Sequence, residues 1–206
     1  MEICSKKSNL KVGIIVFLGT NCELDTKRAC DFFGWNSEFI WHNDKIEKKY
    51  DLIILPGGFS YGDHISSGRI AKLSPAVKSL PVGKSLIFGI CNGFQILCEA
   101  KLLPGALIDN QNIKFISKVT QIGFQNELIN LPIAHHQGNY TCENVDKSQI
   151  FITYKDNENG SDLSIAGLYD KKNKIIGMMP HPERAIYEEM GLTDGRKVFD
   201  FIKGQI

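Results

Sequence analysis

Neither sign of charge dominates this 206-residue chain: 24 Lys and Arg stand against 23 Asp and Glu. There is no basic footprint and no aromatic-basic stripe, which argues against a nucleic-acid binder. No apolar run approaches the roughly 20 residues that span a bilayer. Six cysteines (positions 4, 22, 30, 91, 98 and 142) are scattered, with no C-x-x-C pair and no zinc-ligand spacing. Lys6-Lys7 and the short run Val12–Leu18 imitate an export signal, but no small-residue cleavage site follows. A disulfide framework is therefore not expected, and the expected compartment is a reducing cytosol. Nucleotide fingerprints are missing too. No G-x-G-x-x-G follows the first strand, and Gly83-Lys84-Ser85 has Lys78 where a P-loop needs glycine. No repeat, low-complexity tract or Pro/Gly/Ser linker divides the chain, so one domain over residues 1–206 is expected.

What the chain does have is an alternation of apolar runs and helical segments. Val12–Leu18 reads as a strand buried on both faces, and Glu23–Phe33 as a helix closed by Gly34. Ser37–Trp41, Asp51–Leu55 and Ser85–Phe88 read as further strands, the last followed by a helix over Gly93–Ala100. This pattern predicts an α/β fold, an open and mostly parallel sheet flanked by helices. Ile113–Ile122, Leu131–Ala134, Ile150–Tyr154, Ser164–Tyr169 and Lys174–Met179 follow as strands with short turns, so antiparallel additions to the same sheet are expected. Asp194 or Thr193 is expected to cap a last helix running to about Ile202.

The chemistry centres on Gly89-Ile90-Cys91-Asn92-Gly93, a G-x-C-x-G turn between strand and helix. It is the cysteine form of a nucleophile elbow, which sets a thiol on a sharp bend at a helix N-terminus, where a thiolate is favoured. Taken alone, the turn is equally compatible with a buried structural cysteine. A base comes from Met179-Pro180-His181-Pro182-Glu183. Pro182 biases His181 toward extended backbone, and residues i and i+2 of an extended segment face one side. Glu183 could then hold one imidazole nitrogen while the other faces Cys91, giving a Cys-His-Glu triad. The glycine loop Pro56–Asp63 follows a buried strand, and a backbone N–H there, with that of Asn92, could form an oxyanion hole. His135 is a candidate site-wall residue and His136 a solvated one, while His42 and His64 have no partner evident in the sequence. Cys98 reads as a core thiol, and Cys4, Cys22, Cys30 and Cys142 carry no stronger case. A different cysteine hydrolase, or a redox sensor built on an elbow cysteine, remains open on these residues alone.

With these elements in place the chain resembles the class I (triad) glutamine amidotransferases, whose sheet is flavodoxin-like. Within them it is similar to glutaminase subunits that serve purine biosynthesis. The resemblance is carried by Gly19–Cys22, Pro56–Asp63 (PGGFSYGD), Gly89–Leu97 (GICNGFQIL), Leu102–Ala106, Pro132–His135 and Gly177–Ala185 (GMMPHPERA). It implies that Cys91 attacks the side-chain amide of L-glutamine and forms a thioester, with His181 as base and acid and Glu183 orienting it. It implies substrate contacts from Gly57, Gly58, Phe59, Asn92, Gln95 and His135, and no metal. It implies no cofactor in this chain, with ATP and Mg on a large synthetase partner that comes with a small accessory subunit. Three places depart from the family's pattern: His64-Ile65-Ser66 after Asp63, Gln137 where an acidic residue is usual, and Lys118 where the family has an arginine.

Overall fold

The computed structural model describes residues 9–63 and 67–206. Cys4 and the His64–Ser66 departure lie outside the described residues. The strands are β1 (Lys11–Val16), β2 (Asn36–Trp41), β3 (Leu52–Leu55), β4 (Leu86–Ile90), β5 (Ala106–Ile108), β6 (Ile116–Phe124), β7 (Glu127–His135), β8 (Asn139–Thr141), β9 (Ile150–Tyr154), β10 (Ile165–Asp170) and β11 (Ile175–Met178). The α-helices are α1 (Glu23–Phe32), α2 (Pro75–Lys78), α3 (Asn92–Glu99) and α4 (Gly195–Lys203). Nine strands form one sheet in the order β2-β1-β3-β4-β11-β10-β9-β6-β7, and β5 pairs with β8 in a small second sheet.

The sheet has two halves. β2, β1, β3, β4 and β11 are all parallel. From β11 outward, every pairing through β10, β9, β6 and β7 is antiparallel. The middle of the parallel half is apolar because helices cover both of its faces: β3 (LIIL) and β4 (LIFGI) are buried at every residue, whereas the edge strand β2 is mostly exposed. Successive β4 residues, which face opposite sides, show this directly. The Phe88 ring meets Phe199 of α4, 6.3 Å between centroids, while a Cβ on Gly89 would strike α3 at Gly93 C, 2.7 Å away. α1 lies on the α4 face, where Phe33, at its C-terminal end, stacks on Phe199. Each such ring removed from water contributes about 1.5–3 kcal/mol. β7, in contrast, alternates buried and half-buried residues along most of its length, as a sheet with one wet face must. No helix among the described residues is long and apolar enough to cross a membrane.

Five parallel strands put five C-terminal ends on one edge, where open α/β sheets build sites. The register makes three of those ends level. Leu55 pairs with Gly89, and Ile90 with Met178, so the chain leaves β3, β4 and β11 side by side at Pro56, Cys91 and Met179. One expectation is corrected at the far end of the chain. Asp194 stands at the N-cap of α4, but its side chain does not cap the helix. Its carboxylate instead accepts the Asn130 backbone N–H at 2.8 Å, tying α4 to β7.

Candidate active site

Cys91 occupies a bend that its neighbours force. Its φ of 50° and ψ of −105° lie where an L-residue is strained, at about 1–3 kcal/mol. The Cys91 N–H donates to Met178 O at 2.7 Å, and its thiol points to the Ala134 carbonyl at 3.7 Å. Gly93 permits the bend to close, because a Cβ there would sit 2.0 Å from Leu55 O. The elbow thus depends on glycine for close approach, as its pattern implied.

His181 and Glu183 meet, though by a different route from the one expected. The Pro182–Arg184 segment is a 3-10 turn, not an extended strand end, and the turn folds the carboxylate back onto the ring. His181 Nδ1 lies 2.7 Å from Glu183 Oε1, and both residues are 2 % exposed. Nε2 has no hydrogen-bond partner among the described residues; when the ring is neutral, Nδ1 carries the proton to the carboxylate and Nε2 is able to accept one. Burial works against a charged ring here. The Glu183 carboxylate and the sulfurs of Cys91 and Cys22 outweigh it, and the His181 pKa is pushed well above its ordinary value.

The glycine loop packs against this pair. Gly57 is needed for space: a Cβ there would come within 2.7 Å of His181 Cε1 and 3.0 Å of Cys22 Sγ. Its carbonyl accepts the N–H groups of Asn21 and Cys22, at 3.4 and 3.2 Å. Gly58 has φ 150°, and a Cβ would clash with Thr20 Cα at 2.7 Å. Its flanking peptides bridge to the loop after β1, yet the Gly58 N–H donates to nothing among the described residues. A free amide on the pocket wall beside the nucleophile is what an oxyanion requires. Asn92 serves partly as a brace: its Oδ1 accepts the Ser60 N–H at 3.3 Å and its Nδ2 donates to Gln95 Oε1 at 2.9 Å.

Two adjoining hollows open here. The larger, about 180 Å³, is lined by Cys91, His181, Gly58, Phe59, Cys22 and Arg184 among others. The smaller, about 20 Å³, is room for about one water, and it brings Gln95 and His135 beside Gly58, Phe59 and Cys91. Gln95 Nε2 donates to Gln137 O at 2.6 Å, so its amide is already committed to the wall. His135 Nδ1 faces Asn110 Oδ1 at 3.0 Å; burial, with the positive charge of His181, pushes its pKa down to about 4. Gln137, at the departing position, accepts the Ser67 N–H at 3.0 Å and donates to Asp109 at 3.0 Å. His136 stands at the rim of the smaller hollow with its ring exposed, and His42, outside both, is held by the Tyr61 hydroxyl at 2.7 Å. Cys98 is a core thiol that burial pushes to a higher pKa.

Residues with no strong signal in the sequence also converge. Cys22 Sγ accepts from Arg184 Nη2 at 3.0 Å, and Arg184 Nε donates to Asp25 at 3.1 Å. Phe115 faces Phe59 across the mouth, 6.4 Å between ring centroids. The only signal for Cys22 was its place in the Gly19–Cys22 turn after β1.

Residues 9–193 match the model of the CobB/CobQ-like glutamine amidotransferase domain. The structure of PurLQS from Thermotoga maritima contains a chain 38 % identical to this one, with a TM-score of 0.88. That likeness covers 96 % of this chain and 99 % of that one. A protein of Thermoplasma acidophilum, described as one chain of a GMP synthase, aligns over 96 % of this chain and 94 % of its own, at 16 % identity and a TM-score of 0.67. A glutamine amidotransferase from Thermotoga maritima aligns over 96 % and 95 %, at 16 % identity and a TM-score of 0.52. The last two show the fold alone.

Proposed function

Since the chain belongs to the CobB/CobQ-like glutamine amidotransferase family, we propose that it is the glutaminase subunit of phosphoribosylformylglycinamidine synthase, in purine biosynthesis. It hydrolyses L-glutamine to glutamate and ammonia. In this reading residues 1–206 are one glutaminase domain. Cys91 attacks the side-chain amide carbon while His181 Nε2 takes the thiol proton. The amide oxygen becomes an oxyanion facing the Gly58 and Asn92 amides. His181 then returns the proton to the leaving nitrogen, ammonia departs, and a γ-glutamyl thioester remains on Cys91. Water, deprotonated by the same imidazole, releases glutamate. Glu183 keeps the ring oriented and stabilises it while it is charged. Gly57 shapes the floor; Phe59, Gln95 and His135 bound the space for the substrate's head group.

The single observation that carries this reading is the meeting of Cys91, His181 and Gly58 on one hollow, with Glu183 locked to the far side of the ring. The ammonia is useful only where a second site consumes it, and no nucleotide fingerprint occurs in this chain. That site is therefore expected on another polypeptide, and the family resemblance implies a large ATP- and Mg-using synthetase subunit with a small accessory subunit, acting in the cytosol. The test is Cys91→Ala in the assembled complex. Glutamine-dependent synthesis is expected to vanish while synthesis from added ammonia persists. Loss of both, in a complex that still assembles, would overturn the assignment.

A further inference from the structure

His42 takes no part in amide hydrolysis, yet it is buried and firmly built in. It follows β2. Its N–H donates to Val16 O at 3.0 Å, and its carbonyl accepts the Ala76 N–H of α2 at 3.1 Å. The ring stacks on the buried Phe17, 6.0 Å between centroids, and leans on Trp41 at 4.5 Å. Its Nδ1 lies 2.7 Å from the hydroxyl of Tyr61. Tyr61 belongs to the glycine loop that carries Gly58, and its backbone is strained. Its φ of 56° and ψ of 29° are left-handed values, followed by φ 69° and ψ 19° at Gly62. Glycine adopts that conformation freely and tyrosine does not, so the surroundings must hold Tyr61 there. The backbone supplies part of the hold: the Phe59 N–H donates to Gly19 O at 2.9 Å and the Tyr61 N–H to Leu18 O at 2.6 Å. The Ser60 hydroxyl, though buried, has no partner among the described residues, so the side-chain tie of this turn runs through Tyr61.

We propose that His42 and Tyr61 form a latch that keeps the glycine loop in the strained turn from which the Gly58 N–H meets the substrate oxygen, so that both are positioning residues for the oxyanion hole. Gly58, with φ 150°, stands just upstream of Tyr61, and the two bonds to Leu18 and Gly19 join them into one unit. A peptide rotation that relaxes Tyr61 is therefore passed on to the Gly58 amide. The latch holds in either charge state of the imidazole: neutral Nδ1 accepts the phenol proton, and charged Nδ1–H donates to the phenol oxygen. It is a mechanical tie and not a pH switch. An oxyanion donor is effective only when it is aimed before the charge develops, which is how a ring at the end of β2 reaches the rate.

The catalytic role rests on the glutaminase reading; the tie does not, and the experiment separates them. The assembled complex is made with Tyr61→Phe, which removes one oxygen, with His42→Phe, which keeps a ring on Phe17, and with both. In each single variant kcat for glutamate release is expected to fall about tenfold, with KM for glutamine within about twofold of the wild type. The double variant should be no slower than the slower single one, because both changes break the same bond. Iodoacetamide alkylates a thiol by displacing iodide and develops no oxyanion, so its rate at Cys91, followed by mass spectrometry, should keep the wild-type value. Amide hydrogen exchange over residues 57–62 should quicken by about fivefold or more, with that of α3 unchanged. An unchanged kcat in Tyr61→Phe, losses that multiply in the double variant, or alkylation that falls with kcat overturns the proposal. A wild-type complex that releases no glutamate sinks the glutaminase reading; quickened loop exchange in the variants then upholds the tie, and unchanged exchange overturns it.

Discussion

His181 lines the larger of the two adjoining hollows and His135 the smaller, and each is 2 % exposed. Their hydrogen bonding is nearly identical. Each ring presents Nδ1 to a side-chain oxygen, at 2.7 Å in one case and 3.0 Å in the other, and each leaves Nε2 buried without a partner among the described residues. The oxygen differs. At His181 it belongs to a carboxylate, Glu183. At His135 it belongs to the amide of Asn110, whose Nδ2 is spent on two carbonyls, of Lys114 and His135. Burial opposes protonation at both. The charge of Glu183 and the nearby sulfurs overcome it at one, and nothing comparable does so at the other. Geometry therefore supplies two similar rings, and in the proposed reaction the negative charge beside one of them gives that ring the proton-moving role.

The sharpest way to break this comparison is to delete each ring in turn. His181→Asn removes the group proposed to take the Cys91 proton, so glutaminase kcat should fall by about 10³-fold. His135→Gln takes away a neutral wall residue and should cost only a few-fold. Steady-state glutamate release by the complex measures both. Equal losses would show that the two rings share the proton work and that the carboxylate does not distinguish them.

Next in size is an effect on stability rather than rate. His135 is held near a pKa of about 4, against an unfolded value near 6.5, so the unfolded chain binds the extra proton between those limits. Its contribution is thus fully present above pH 6.5 and is lost as pH falls toward 4, by about 3 kcal/mol. His181 tilts the profile the other way: its folded pKa is raised, so its contribution is complete below the unfolded value and fades as pH climbs through the folded one. Urea unfolding at a series of pH values should show a shallower acid decline in His135→Gln than in the wild type. Parallel declines would mean that His135 is not kept neutral by the fold.

The two walls also differ in how far the sequence disclosed them. The elbow was legible because its glycines are local: Gly89 and Gly93 flank Cys91, and the close approach they permit is a property of five consecutive residues. The pairing of His181 with Glu183 was legible for the wrong backbone reason, since Pro182 starts a 3-10 turn that achieves the same juxtaposition. The β1–β4 run was readable from apolar continuity, whereas the strand order was not, because register between distant strands leaves no periodic trace. β5 and β8, three residues each, are too short for any period to show. Cys22 and Arg184 stand 162 residues apart and meet only because β1 and β11 end on one edge. Asn110 was invisible for a similar reason. An isolated amide in a loop has no motif, and its partner lies 25 residues on.

The finest test converts one wall into the other. Glu183→Gln gives His181 the neutral partner that His135 already has, while the amide oxygen can still accept from Nδ1–H and keep the tautomer. The nucleophile, the ring and the glycine loop are untouched. Removing the carboxylate removes a negative charge that favours the charged ring, so burial should prevail and the His181 pKa should move down, toward the behaviour of His135. The loss of charge stabilisation when the ring takes the thiol proton should lower kcat by about 10²-fold, less than deleting the ring. Imidazole ¹⁵N shifts followed across pH report the titration, and glutamate release reports the rate. A His181 titration unmoved in Glu183→Gln would show that the nearby sulfurs, and not the carboxylate, hold the proton there, and the contrast between the two walls would have to be rebuilt on Cys91 and Cys22.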